Sequence, residues 1–160
     1  MLFKEEQKFG KWKIIPILLI AVIGLFILLL REGFETRPNS IVLACVLVFV
    51  SLVGVLILKS KLETSIDKYA IRYRFFPFIS NWKRIEKEHI QQMEVVKYSP
   101  IADYGGYGYR FSFRNGRALN TGGNKGLKIV YNQNKKLLIG TKKPAELEQA
   151  INEFLAVNKE

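Results

Sequence analysis

One cysteine, one histidine and two methionines are all that this 160-residue chain offers of the residue types that most often bind metals or carry redox chemistry. Cys45 has no second cysteine to pair with, so no intrachain disulfide and no thiolate cluster is available. It lies in an apolar stretch, where a thiol serves as a small apolar filler. His89 sits in Glu86-Lys87-Glu88-His89. A general base or a metal ligand needs companions at suitable spacing, and flanking acids alone supply none. The glycines do not form a phosphate cradle either. In the stretch Gly106-Tyr107-Gly108, Phe111 stands where the third glycine of a G-x-G-x-x-G loop belongs, and 122–126 lacks the Gly-Lys-Ser/Thr of a nucleotide loop. These glycines are expected in turns and bulges. The expectation is a chain that is not an enzyme and that holds no metal and no cofactor.

Charge is missing altogether from two long apolar runs, Ile14–Leu30 and Ile41–Leu58. At about 1.5 Å per helical residue, such runs approach the ~30 Å hydrocarbon thickness of a bilayer. They predict two transmembrane helices joined by the turn-forming loop 31–40. Lys4, Lys8, Lys11 and Lys13 precede the first run, whereas the loop carries only Arg31 and Arg37. Lys59, Lys61 and Lys68 follow the second run. The bias predicts a multi-pass protein of the bacterial inner (plasma) membrane with both termini cytoplasmic. The domain plan is therefore 1–61 as tail and membrane hairpin, and 62–160 as a cytoplasmic domain.

Acid is scarce as well: 25 Lys and Arg stand against 14 Asp and Glu, a net charge of +11. Within 62–160 the alternation Leu62, Thr64, Ile66 and then Tyr69, Ile71, Tyr73, Phe75 predicts two strands around an Asp67-Lys68 turn. A third strand is expected at Trp82–Ile85. Glu88–Tyr98 is compatible with helix or strand. Short strands follow at Arg110–Phe113 and Arg117–Asn120 around Asn115-Gly116, and at Gly126–Tyr131 and Lys135–Gly140 around Asn132-Gln133-Asn134. From Pro144 the spacing changes: Leu147, Ala150, Ile151, Phe154 and Leu155 share one helical face.

Six or seven strands closed by one helix make a small antiparallel barrel or sandwich. That order resembles a pleckstrin-homology-like domain. The stretch GYGYRFSF…ALNTGGNKGLKIVYNQNKKLLIGTKKPAELEQAI is similar to small bacterial membrane proteins that carry two N-terminal transmembrane helices and a pleckstrin-homology-like cytoplasmic domain. The fold class expected is thus a membrane α-hairpin plus an α+β domain, a pleckstrin-homology-like antiparallel β-barrel or sandwich closed by a C-terminal α-helix.

Two groups of residues stand out as sites. In phosphoinositide-binding members of the resembled fold, a lysine near the first hairpin and a basic-x-arginine on the second strand clamp the headgroup, which the resemblance carries onto Lys68, Arg72 and Arg74. Period two independently puts Arg72 and Arg74 on one strand face, where rigid guanidinium forks suit phosphate. Tyr104, Tyr107 and Tyr109 cluster in a Gly-rich loop and form the candidate partner contact. The function expected is a non-enzymatic, membrane-apposed interaction platform for a protein partner or a second copy, beside the lipid bilayer. Sensing of anionic lipid headgroups is the alternative. No base-reading motif points to nucleic acid, and no small-molecule substrate is indicated.

Overall fold

The computed structural model of the chain describes residues 1–10, 20, 22–24, 27 and 37–156, without the side chains of residues 37–40 and 43. Two compact units divide it: Met1–Lys8 together with Lys61–Glu160, and Phe9–Ser60.

In the second unit, residues 20, 22–24 and 27 are helical, and Arg37–Lys59 forms helix α1. The remainder of the first apolar run lies outside the described residues. Ile41, Val48, Phe49 and Leu52 of α1 are exposed within the single chain. Ser60 closes the helix, its hydroxyl donating to the Leu56 carbonyl at 2.9 Å.

The two-span membrane hairpin is not upheld. Among the described residues no helix is long and apolar enough to cross a membrane. The multi-pass inner-membrane placement and the orientation of the termini rested on those spans and fall with them. Two of the lysines ahead of the first run also have another place. Lys4 and Lys8 belong to a strand, β1 (Phe3–Lys8), whose Phe3, Glu5 and Gln7 turn inward and whose Lys4 and Glu6 turn outward.

In the first unit, β1 pairs antiparallel with β2 (Lys61–Ile66), which continues into β3 (Ala70–Phe76) and β4 (Ile79–Glu86) as a four-stranded meander. The β2–β3 turn is fixed by Asp67, whose Oδ1 accepts from the amides of Tyr69 (2.9 Å) and Ala70 (2.8 Å). After a 3₁₀ turn at Lys87–His89, β5 (Ile90–Lys97) opens a second sheet. A short helix, α2 (Pro100–Tyr104), leads to β6 (Gly108–Ser112), β7 (Gly116–Asn120), β8 (Lys125–Tyr131) and β9 (Lys135–Gly140). The order across this five-stranded sheet is β5-β8-β9-β7-β6, with β7 and β9 parallel. Helix α3 (Pro144–Ala156) ends the described chain.

Leu62, Ile66, Ile71 and Phe75 of the first sheet are fully buried, as are Leu127 and Ile129 of the second. Helix α3 adds Leu147, Ile151 and Phe154 and lies against β1, β5 and β8. Each such side chain removed from water stabilises the fold by about 1.5–3 kcal/mol. The pleckstrin-homology-like barrel is corrected accordingly. Among the described residues there are two separate sheets and no closed barrel, and the N-terminal segment is a sheet strand where two transmembrane helices were expected.

Candidate functional site

Period two and the hairpin registers line up four outward side chains across the first sheet. Lys4 lies opposite Ser65, Ser65 opposite Arg72, and Arg72 opposite Arg84. With strands ~4.8 Å apart the row spans about 14 Å. Met1 and Trp82 complete the lining of an open depression of about 580 Å³. Three cations and a hydroxyl thus face solvent beside an indole ring.

The next row is used up internally. Arg74 lies opposite Glu63, which lies opposite Glu6. Arg74 Nε donates to Glu63 Oε2, and Lys61 Nζ bridges Glu63 at 3.0 Å and Glu6 at 2.8 Å. The hydrogen bond from Arg74 holds the Glu63 carboxyl below its ordinary value, Lys61 adds to this, and burial opposes it. The Arg74 guanidinium also covers Trp82, 4.8 Å from the ring centre, and so fixes the wall of the depression.

Within the depression compensation is partial. Arg72 Nη2 lies 3.2 Å from Asp67 Oδ2, and Arg84 Nε lies 3.6 Å from Glu86 Oε1. Burial pushes the Asp67 carboxyl up, but the Tyr69 and Ala70 amides and the charges of Arg72 and Arg84 more than offset it and leave it lowered. Lys4 makes no ion pair among the described residues.

Of the residues singled out by sequence, Arg72 lies in the depression, Arg74 supports its wall, and Lys68 is exposed in the β2–β3 turn outside the lining. Lys4, Ser65, Trp82 and Arg84 were missed. Arg84 comes opposite Arg72 only after a register shift between Tyr73 and Phe75, which the sequence does not announce; Lys4 required knowing that residues 3–8 are a strand.

The three tyrosines separate into different roles. Tyr104 meets Tyr98 edge-on, 6.0 Å between ring centres, and its hydroxyl donates to the Asn115 carbonyl at 3.4 Å, so it holds α2 over the second sheet. Tyr107 is half exposed, and Tyr109 stacks on Phe78 at 6.2 Å. His89 is exposed, 4.0 Å from Glu86, and among the described residues no three His, Cys, Asp or Glu side chains come together as a metal site.

No protein-family model matches this chain, and no curated protein or solved structure matches it either. The geometry of the depression therefore carries the functional reading by itself. A planar guanidinium on each of two adjacent strands, flanked along the row by an ammonium and a hydroxyl, offers donors of the kind that suit an oxyanion.

Proposed function

We propose that the Met1–Lys8/Lys61–Glu160 unit is a non-enzymatic binding module, an interaction platform whose ligand presents a phosphate group to Lys4, Ser65, Arg72 and Arg84. The observation that carries this reading is the straight Lys4–Ser65–Arg72–Arg84 row beside Trp82. Asp67 keeps its two backbone amide donors when an incoming anion takes over Arg72. The exchange therefore leaves no stranded carboxylate. Met1 and Trp82 suit the apolar atoms next to a phosphate. The phosphate belongs to a lipid headgroup or is free in solution, and the two sources separate experimentally.

The test uses the full chain with phosphatidylcholine vesicles containing phosphatidate, and separately with inorganic phosphate. Each charge-assisted hydrogen bond is worth about 1.5–3 kcal/mol. Replacing Arg72 and Arg84 together by Gln should weaken binding by well over tenfold, whereas Arg110→Gln with Arg114→Gln should change it by about twofold or less. Binding to phosphatidate vesicles that millimolar inorganic phosphate does not displace identifies a surface-borne headgroup. Displacement identifies a free ligand. Equal losses for both pairs of substitutions, or no binding in either arm, overturn the proposal.

A further inference from the structure

The second sheet carries an open edge of different character. β6 is hydrogen-bonded to β7 alone, at the end of the sheet. The opposite edge strand, β5, lies against α3, and Lys87 caps that helix by donating to the Phe154 carbonyl. The outer edge of β1 is met by Lys142, whose amide donates to Glu5 and whose Nζ donates to the Lys8 carbonyl at 3.1 Å. Among the described residues no strand pairs with the outer edge of β6, and the helix that touches this strand is the short α2. Its sequence, Gly-Tyr-Arg-Phe-Ser, also lacks the proline or lysine that commonly protects an edge strand.

Aromatic rings continue along this edge. Phe78 stacks on Tyr109 at 6.2 Å, Phe111 shares a strand face with Tyr109, and Phe113 meets Phe111 at 5.4 Å. Phe111 is 61% exposed and Phe113 99%. The hairpin that carries them is basic. Between Asp103 and Glu146 the chain carries nine Lys and Arg and no Asp or Glu, and Arg110, Arg114 and Arg117 all lie on the β6–β7 hairpin.

We infer that β6 is a docking edge for an extended acidic segment of a partner protein, added to the second sheet as a further strand. Unpaired strand amides and carbonyls are satisfied by another extended backbone. Alternate side chains of the added strand would meet Tyr109 and Phe111 on one face and Arg110 on the other, so acidic and apolar residues should alternate. A second copy of this chain is disfavoured because it would bring Arg110 and Arg114 against their own duplicates. A lipid surface is disfavoured because headgroups cannot continue a β-ladder. The proposal is independent of the Arg72–Arg84 depression, which lies on the other sheet.

A fluorescently labelled peptide of alternating Glu and Val, titrated into the full chain and followed by anisotropy, tests this. Saturable binding is expected, weakened about tenfold or more, equivalent to at least ~1.4 kcal/mol, by either Arg110→Glu or Phe111→Ser in proteins with unchanged circular dichroism. Methylating alternate peptide nitrogens on the edge-facing side should abolish it. Arg72→Gln should leave it unchanged. The inference is overturned by a peptide that does not saturate, by N-methylated peptide binding as tightly as the parent, or by affinity indifferent to Arg110→Glu. It is equally overturned if Phe111→Ser abolishes self-association or uptake by anionic vesicles in place of peptide binding.

Discussion

Tyr73 shows how a single hydroxyl couples this fold to pH. Burial pushes its pKa up to about 12, and Tyr131 beside it adds to the shift. Burial does the same for Tyr98, also to about 12. An unfolded tyrosine loses its proton near 10. For an acid whose folded pKa is raised, the stabilising difference is complete below the unfolded value and disappears as pH rises through the folded one, here between about 10 and about 12. Alkaline titration followed by near-ultraviolet tyrosinate absorbance should therefore show Tyr73 and Tyr98 ionising well above pH 10, with Tyr104, also pushed up by burial, above the ordinary tyrosine value. Tyr73→Phe should remove one of the late groups. Ionisation of all seven tyrosines around pH 10, in a chain still folded by circular dichroism, would rule out this account. At the acidic end the sign is reversed. The contribution of Glu63 is present above the unfolded carboxylate range and disappears as pH falls through its lowered folded value.

Among the elements, β1 is held by buried polar contacts beside Phe3. Glu5 accepts from Thr141 Oγ1 at 2.7 Å and from the Lys142 amide at 2.9 Å. Gln7 donates to the Gly140 carbonyl at 2.7 Å and accepts from Thr121 Oγ1 at 3.1 Å. Glu5→Ala strands a buried hydroxyl and a partly buried amide, so about 2–6 kcal/mol of stability should be lost, at roughly 1–3 kcal/mol per unsatisfied group. Glu5→Gln keeps an acceptor oxygen and should cost less. Urea unfolding with an unchanged m-value measures both, and a Glu5→Ala midpoint equal to wild type would sink the assignment. The same polar character explains why β1 was illegible in the sequence. Its inward positions read Phe3, Glu5, Gln7, with no apolar alternation to detect. The alternation of β2 and β3, the Asp67 turn and the amphipathic α3 were legible because each is a local pattern with its own punctuation. β5 is ambiguous alone and becomes a strand by pairing with β8, from Ile90 opposite Tyr131 to Lys97 opposite Lys125. The site divides in the same way. Arg72 and Arg74 on one face follow from period two, whereas Lys4, Ser65 and Arg84 join Arg72 only through cross-strand register, and Arg74 is withdrawn by Glu63, a partner three-dimensional pairing alone supplies.

At the scale of the whole molecule, the Phe9–Ser60 unit is an insertion into a β-hairpin. Lys8 at the end of β1 is the direct register partner of Lys61 at the start of β2, and pairing continues from there to Phe3 opposite Ile66. Without the insertion the two strands would be an ordinary hairpin. Replacing Phe9–Ser60 by Asn-Gly, a pair suited to a two-residue hairpin turn, should therefore leave the Met1–Lys8/Lys61–Glu160 unit intact. Loop-closure entropy falls with loop length, so the shortened chain should unfold cooperatively at a urea midpoint no lower than that of the parent. The position of β1 has its own readout, because the shortened chain should remain as sensitive to Glu5→Ala as the parent. Both proposed surfaces should survive as well, since Lys4, Arg72 and Arg84 lie in the retained unit together with β6. A shortened chain that fails to fold, or that folds but ignores Glu5→Ala, would show that residues 9–60 do more than interrupt a hairpin, and that β1 depends on them for its place in the sheet.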